Sequence, residues 1–236
     1  MELFKMPEKI LRLAELVIDI AKLPVARLQF YLKLNPLEVD KMHRYFTMRH
    51  PRYKIFQNKS LGAALIDLAH HRGREAYINS IKGKNSGEQH ARKALSRGYS
   101  VVEIDRNNYI DDIYQVNTSL SVRQGRPIDA IYREKVNHYT QQKNYRYYGL
   151  LNNEGNLVAY GDVGHYGNFS AFNRIIGIRN NDGIMHLLVS EIVCQMIERN
   201  ECRYMMYDTY FGASPGLRAF KTMLGFQPYR AKYSIK

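Results

Sequence analysis

The alternation of short apolar runs with longer amphipathic stretches in the second half of the chain most constrains its fold. Apolar runs bounded by turn residues are typical of strands, whereas apolar residues recurring every three or four positions are typical of helices. From residue 99 the predicted order is strand, helix, helix, strand, strand, strand, helix, strand, helix, strand. These elements are predicted at residues 101–104, 108–120, 128–139, 145–151, 157–163, 169–178, 182–199, 204–209, 215–224 and 226–234. The order predicts an α/β fold with a mixed sheet.

The first part of the chain has a less regular pattern. Residues 8–23 place charged residues on one stripe and apolar residues opposite, which predicts an amphipathic helix with too many charges to span a membrane. Packing on its own domain is the favoured interpretation, and a membrane surface or a partner are the alternatives. A weak helix is predicted at 37–46 and a strand around 62–66. We therefore expect a helical, basic N-terminal extension at residues 1–98 and an α/β domain at residues 99–236.

The charge balance favours anionic partners. Lys and Arg number 35 against 22 Asp and Glu, so the net charge is +13 with neutral histidines. Such an excess attracts nucleic acid, an acidic membrane face or the phosphates of a small molecule.

Cysteine and histidine spacing argues against a disulfide framework or a metal site. The chain has two cysteines, Cys194 and Cys202, and its histidines form no HExxH pattern. Cys194 lies in an apolar run, which predicts an inert buried thiol. We expect no bound metal. The N-terminus lacks the pattern of a secretory signal, so we expect a cytoplasmic protein without a transmembrane segment.

A polar segment joins the predicted strand that ends at Ile178 to the predicted helix that follows it. A helix N-terminus presents unpaired backbone N–H groups, and these stabilise a phosphate. Gly183 permits close approach of the backbone, and Arg179 can pair with a phosphate oxygen. The alternative is a helix capped by Asp182, without a ligand. The candidate phosphate-binding residues are Ile178, Arg179, Asn181, Gly183 and Ile184.

Three stretches of the second half resemble the Gcn5-related N-acetyltransferase (GNAT) superfamily. They are residues 157–160 after a Gly-containing turn, residues 178–185, and residues 216–226 with their closing Leu-Gly-Phe. The resemblance covers roughly residues 99–236. It implies a mixed, centrally splayed sheet and an N-acyltransferase that takes acetyl-CoA or another acyl-CoA as donor and an amine as acceptor. Residues 178–185 would be the acyl-CoA pyrophosphate loop, although the family pattern places glycine or alanine at Asp182 and Ile184.

A second resemblance points to a different donor. Many acetyltransferases have a tyrosine where this chain has Lys221, and the Phe220-Lys221 pair before Leu-Gly-Phe is similar to Fem-type transferases, which take aminoacyl groups from tRNA. The basic stretch at 82–97 is also similar to the helix that enters such domains. The alternatives are therefore an aminoacyl-tRNA-dependent transferase and a non-catalytic basic binding module on a degenerate GNAT fold.

The same resemblance places the reaction at a splay between the strands at 169–178 and 204–209. Positioning would dominate catalysis, with a base for the amine and an acid for the leaving group. We expect Tyr210 to be the acid, Asp208 to orient the acceptor or act as a weak base, and Lys221 to neutralise a phosphate or leaving group. The alternative is that Asp208 caps a turn and Tyr210 packs. A loop containing Arg123, Gln124 and Arg126 is the candidate acceptor-binding segment, with a plain basic turn as its alternative.

Overall fold

The protein is built around an open sheet of eight strands. The computed structural model describes residues 19–52, 54–123 and 126–236. The sheet strands are β1 (Val25–Phe30), β2 (Leu61–Asp67), β3 (Ser100–Glu103), β6 (Tyr145–Leu151), β7 (Leu157–His165), β8 (Phe169–Gly177), β9 (Tyr204–Thr209) and β10 (Gln227–Ile235). A separate small hairpin pairs β4 (Val122–Arg123) with β5 (Arg126–Pro127). The helices are α1 (Pro36–Thr47), α2 (Arg74–Ser80), α3 (Gly87–Ser96), α4 (Ile110–Thr118), α5 (Ile184–Arg199) and α6 (Pro215–Met223).

Strands from both parts of the chain form this sheet. Its order is β1-β10-β2-β9-β8-β7-β6-β3, so β2 lies between β9 and β10, and β1 forms one edge. The β1–β10 and β8–β9 pairs are parallel, and the other neighbours are antiparallel. The domain boundary at residue 98 stays a prediction, and two strands that precede it belong to the common sheet.

The two central parallel strands separate after a short contact. Strands β8 and β9 pair at three positions, Phe169↔Tyr204, Ser170↔Met205 and Ala171↔Met206. Strand β8 continues to Gly177 on β7, whereas β9 turns away from it. The sheet is therefore open between its two halves beyond Ala171. The predicted mixed, centrally splayed sheet is confirmed.

Helices cover both faces of the sheet. Alternate residues of β2 show the two faces, since Ala64 and Ile66 pack with α5, whereas Ala63 and Leu65 pack with α1. Helices α2, α3, α5 and α6 lie on the first face, and α1 and α4 lie on the second. Each fully buried aliphatic side chain of these layers contributes about 1.5–3 kcal/mol, so α5, with ten buried residues, anchors the first face.

One predicted helix does not form. Residues 128–139 are irregular apart from the 3-10 turn Ala130–Tyr132. Tertiary hydrogen bonds replace the helical ones, because the side chain of Asn107 accepts from the Tyr139 backbone N–H and donates to the Tyr139 carbonyl. Of the predicted helix at 8–23, residues 19–22 are helical and 8–18 lie outside the described residues. The other predicted elements are confirmed within two residues at each end.

Within the described residues, no helix has the length and apolar character needed to cross a membrane.

Both cysteines are buried, and we expect neither to react while the protein is folded. Burial raises the pKa of the Cys194 thiol to about 12, and burial also raises the pKa of Cys202. Because the thiolate is the reactive form, dithionitrobenzoate should label neither residue in the native protein at about pH 8 and both after denaturation. Rapid labelling of one equivalent in the native state would contradict this packing.

Candidate functional site

A large cleft opens at the N-terminus of α5. Its volume is about 790 Å³, and the residues from Ile175 to Asn181 form one wall. Gly183 precedes α5 in a left-handed conformation (φ +83°), and the backbone N–H groups of Ile184 and Met185 have no hydrogen-bond partner in the described part of the chain. These N–H groups and the positive end of the helix dipole suit a phosphate.

The loop before α5 is held by the basic helix α3. The Lys93 ammonium donates to the Asn181 carbonyl (2.6 Å), the Tyr99 hydroxyl donates to the Asp182 carboxylate (2.8 Å), and Arg97 forms an ion pair with the same carboxylate. Asp182 therefore does not cap α5, and the interpretation of an Asp-capped helix is wrong. Its negative charge is balanced by Arg97, which reduces the repulsion of an anion at the helix N-terminus.

Gly183 is required by the packing of α3. A Cβ atom at Gly183 would lie 2.2 Å from the carbonyl oxygen of His90, and the positive φ disfavours any other residue. We expect Gly183 to permit close approach of the backbone to a phosphate, and this role stays a prediction. In the structure the group that approaches its Cα is the backbone of α3.

Two stacked histidines lie at the same cleft. The rings of His90 and His186 are 4.6 Å apart, and Phe220 contacts His186 edge-on. Burial, followed by the nearby charge of His90, lowers the pKa of His186 to about 4, so His186 is neutral near pH 7. Its buried Nε2 has no hydrogen-bond partner in the described residues. The cleft thus has an uncharged imidazole beside the helix N-terminus.

All five predicted donor-site residues line the large cleft. They are Ile178, Arg179, Asn181, Gly183 and Ile184. The side chain of Arg179 is exposed, and no ion-pair partner for it occurs among the described residues. The structure therefore brings the predicted donor-site residues together around one cavity, and their function stays a prediction.

A smaller cavity passes through the opening in the sheet. Its volume is about 270 Å³, and it is lined by α1 on one face and by α6 on the other. Its charged and aromatic lining residues include Tyr45, Phe46, Lys59, Tyr166, Phe172, Arg174, Tyr207, Asp208 and Lys221. Ile175, Tyr207 and Leu217 line both cavities. The two cavities therefore meet where β8 and β9 separate.

Lys221 is a buried cation at this meeting point. Its side chain is 1% exposed, its ammonium donates to the Thr209 carbonyl (2.8 Å), and it lies 4.8 Å from the centre of the Tyr207 ring. Burial lowers the pKa of Lys221 to about 8; the charge of Asp208 opposes this shift, and the charge of Lys59 contributes to it. A lysine with such a pKa exchanges its proton near neutral pH.

Asp208 lines the small cavity together with Lys221, and Tyr210 does not line it. Asp208 has a left-handed backbone (φ +52°), and its carboxylate forms an ion pair with Lys59. The Tyr210 hydroxyl instead bonds to the hydroxyl of Thr222 (2.7 Å), and Tyr210 lines neither cavity. Of the three predicted catalytic residues, the structure brings two together. Their catalytic roles stay predictions.

The predicted acceptor loop is only partly described. Gln124 lies outside the described residues, and only the backbone of Arg123 and Arg126 is described. The adjoining residues Leu120 and Val122 line the large cleft, so the loop begins at its wall. The acceptor-binding role of Arg123, Gln124 and Arg126 stays a prediction.

Sequence reasoning missed several residues of the two cavities. Lys59 and Tyr45 come from the first 98 residues, and His186 follows the donor loop on α5. No local pattern marks Lys59, since its position depends on β2 inserting beside β9. The described residues contain no group of three or more His, Cys, Asp or Glu that could hold a metal ion.

Similarity of this chain to known proteins is found when the structures are compared and not when the sequences are compared. No protein-family model and no curated protein sequence matches it. The C-terminal domain of a protein described as a lysylphosphatidylglycerol synthetase from Agrobacterium fabrum superposes with a TM-score of 0.50 at 14% identity, covering 72% of this chain and 58% of that structure. FemX superposes with a TM-score of 0.53 at 10% identity, covering 71% and 59%. A GCN5-related N-acetyltransferase from Kribbella flavida gives 0.43 at 9% identity, covering 71% and 54%.

These likenesses concern the fold. The chain spans 58% and 59% of the length of the first two structures. Its open mixed sheet, with two central parallel strands that separate, agrees with the resemblance found in the sequence. The chain therefore has a fold like that of FemX and of the lysylphosphatidylglycerol synthetase domain, in agreement with the GNAT-like and Fem-like fold that the sequence predicts.

Proposed function

We propose that this protein is an N-acyltransferase that moves an acyl group from an acyl-CoA donor to an amine acceptor. The observation that carries the proposal is the gap between β8 and β9, where a large cleft and a small cavity meet beside the buried Lys221. A donor and an acceptor that enter from opposite faces of the sheet would meet in this gap. Such positioning accounts for much of the rate acceleration in acyl transfer.

The large cleft suits the donor. The phosphates of the donor would bind the N–H groups of Ile184 and Met185, and Arg179 would pair with a phosphate oxygen. The acyl chain would follow the segment of β8 beyond Ala171, where β9 no longer pairs with it. The acyl carbonyl would then lie beside Tyr207 and Lys221.

The reaction needs one carbon–nitrogen bond to form and one carbon–sulfur bond to break. The amine nitrogen attacks the carbonyl carbon, the tetrahedral intermediate expels the thiolate, and the amine would give its proton to the solvent-exposed Asp208 carboxylate, which passes it to water. The Lys221 ammonium would stabilise the developing negative charge and give a proton to the thiolate, since its pKa of about 8 permits transfer near neutral pH. Asp208 would hold the acceptor amine. Tyr210 stays the alternative acid, provided that its hydroxyl leaves Thr222.

Aminoacyl-tRNA is the second candidate donor. Exposed cations lie on and beside α3 at Lys82, Lys84, Arg92, Lys93 and Arg97, and Lys93 lines the large cleft. A basic surface of this kind binds a polynucleotide backbone with strong salt dependence. A ligand that binds the folded protein raises its unfolding temperature, so comparing the rise with acetyl-CoA and with aminoacyl-tRNA distinguishes the two donors. If neither donor raises the unfolding temperature, a non-catalytic binding module is favoured.

We expect Arg179→Glu to weaken coenzyme A binding by about tenfold or more, because it replaces a cation with an anion beside the phosphates. Stability should change little, since Arg179 is exposed. Isothermal titration calorimetry measures the affinity, and Arg72→Glu is the matched control because Arg72 is exposed and lines neither cavity. Equal coenzyme A affinity in Arg179→Glu and wild type would remove Arg179 from the donor site.

A further inference from the structure

Lys59 occupies an unusual place for a lysine from a connecting segment. It precedes β2, yet its side chain is 15% exposed and reaches into the small cavity. Its ammonium contacts the Asp208 carboxylate and lies 5.5 Å from the centre of the Tyr45 ring on α1. The Asp208 side chain is 55% exposed, so the pair can be reached from solvent.

A carboxylate beside an aromatic ring is a binding arrangement for an alkylammonium group. The carboxylate supplies a charge-assisted hydrogen bond, and the ring face attracts the cation. The neighbouring cation Lys221 cannot take this position, because it is buried and donates to the Thr209 carbonyl. The arrangement therefore serves one ammonium at a time, and Lys59 fills it.

We infer that Lys59 occupies the subsite of the acceptor's ammonium group, and that a lysine-like alkylamine acceptor binds by displacing Lys59 from Asp208 and Tyr45. The inference rests on the proposed function, since it assigns the small cavity to the acceptor. It names the acceptor class as a primary amine at the end of a flexible apolar chain. It also gives the first part of the chain a role, because α1 and Lys59 build the subsite.

Displacement requires only the Lys59 side chain to move. The backbone of Lys59 is held on both sides, since its N–H donates to the Phe46 carbonyl (3.2 Å) and its carbonyl accepts from the Tyr233 hydroxyl (2.7 Å). The four-carbon chain can swing out while this backbone stays in place. An acceptor must therefore compete with a tethered ammonium, which weakens its apparent affinity.

The test is the binding of Nα-acetyl-lysine amide, measured by calorimetry without any donor. We expect Lys59→Met to bind it about tenfold more tightly than wild type, because the variant keeps the apolar chain and removes the competing charge. Lys59→Arg retains a cation and should bind as weakly as wild type. Nα-acetyl-norleucine amide, which lacks the amine, should show no gain with Lys59→Met. Adding Asp208→Asn to Lys59→Met should abolish the gain.

Equal affinity of wild type and Lys59→Met for the lysine ligand would overturn the inference, as would a gain that persists with Asp208→Asn. If Lys59→Met does not fold, Lys59→Gln makes the same comparison. The outcome is separate from the proposed function. Alkylamine binding with the expected variant pattern but without turnover of any acyl donor would contradict the transferase and leave the subsite. Turnover without the expected pattern of variant affinities would contradict the subsite and leave the transferase.

Discussion

Lys221→Met should lower acyl transfer by about a hundredfold to a thousandfold, because it removes the only positive charge that we place at the developing oxyanion. The same change should stabilise the folded protein. A pKa of about 8, against the ordinary 10.5, means that the buried ammonium costs about 3 kcal/mol near neutral pH. Part of this gain is offset by about 1–2 kcal/mol, because the Thr209 carbonyl loses its donor. A less active and more stable variant is therefore expected.

The pH dependence of stability gives an independent check. Because the folded pKa lies below the ordinary value, the unfolded chain binds more protons between about pH 8 and pH 10.5. The Lys221 contribution to stability therefore rises with pH over this interval in wild type and is absent from Lys221→Met. Urea unfolding at about pH 7 and about pH 9.5 measures the difference between the two proteins.

The matched variant Lys221→Arg keeps a positive charge that does not titrate. If Lys221 is the acid, turnover by wild type should fall as pH rises through about 8, and Lys221→Arg should lack this decline. Unchanged turnover in Lys221→Met would exclude Lys221 from the chemistry.

Gly183→Ala should destabilise the protein by about 3–5 kcal/mol, through backbone strain and a clash that the packed interior cannot absorb. Its new Cβ would meet the His90 carbonyl at 2.2 Å, and α3 or the donor loop would have to shift. Coenzyme A affinity should fall with it, because the loop carries the free N–H groups of α5.

Gly155→Ala is the control that introduces the backbone strain of a left-handed alanine without a steric clash. Gly155 has nearly the same backbone angle (φ +84°), but a Cβ there meets no atom within 4 Å. We expect this variant to lose only about 1 kcal/mol, the cost of the left-handed conformation. Urea unfolding compares the two proteins, and equal losses would mean that α3 does not press on the donor loop.

The order of elements after residue 99 could be predicted because each element carries its own periodicity. Helix α5 is an example, since its apolar residues recur along the whole of Ile184–Arg199. The prediction of a helix at 128–139 was wrong, because the side chain of Asn107, distant in sequence, holds this segment in another conformation. The insertion of β2 between β9 and β10 is likewise a long-range pairing that no local pattern reports.

The candidate site shows the same division. Arg179 and Gly183 were found because a strand-to-helix junction is a local signal. The ion pair of Asp182 with Arg97 could not be predicted from the local sequence, and it balances the negative charge of Asp182 at that junction. Lys59 was also not predicted as a site residue, because it reaches Asp208 only when two separate parts of the chain join one sheet. Tyr210 had a suitable position in the sequence, but its hydroxyl bonds to Thr222.

The most direct test is a crystal structure with a thioether analogue of acetyl-CoA that keeps the carbonyl and cannot transfer it. We expect its pyrophosphate on the N–H groups of Ile184 and Met185 and its carbonyl in the gap between β8 and β9, within reach of Lys221. An analogue bound with its carbonyl outside this gap, or failure to bind at all in solution, would contradict acyl-CoA-dependent transfer at this site.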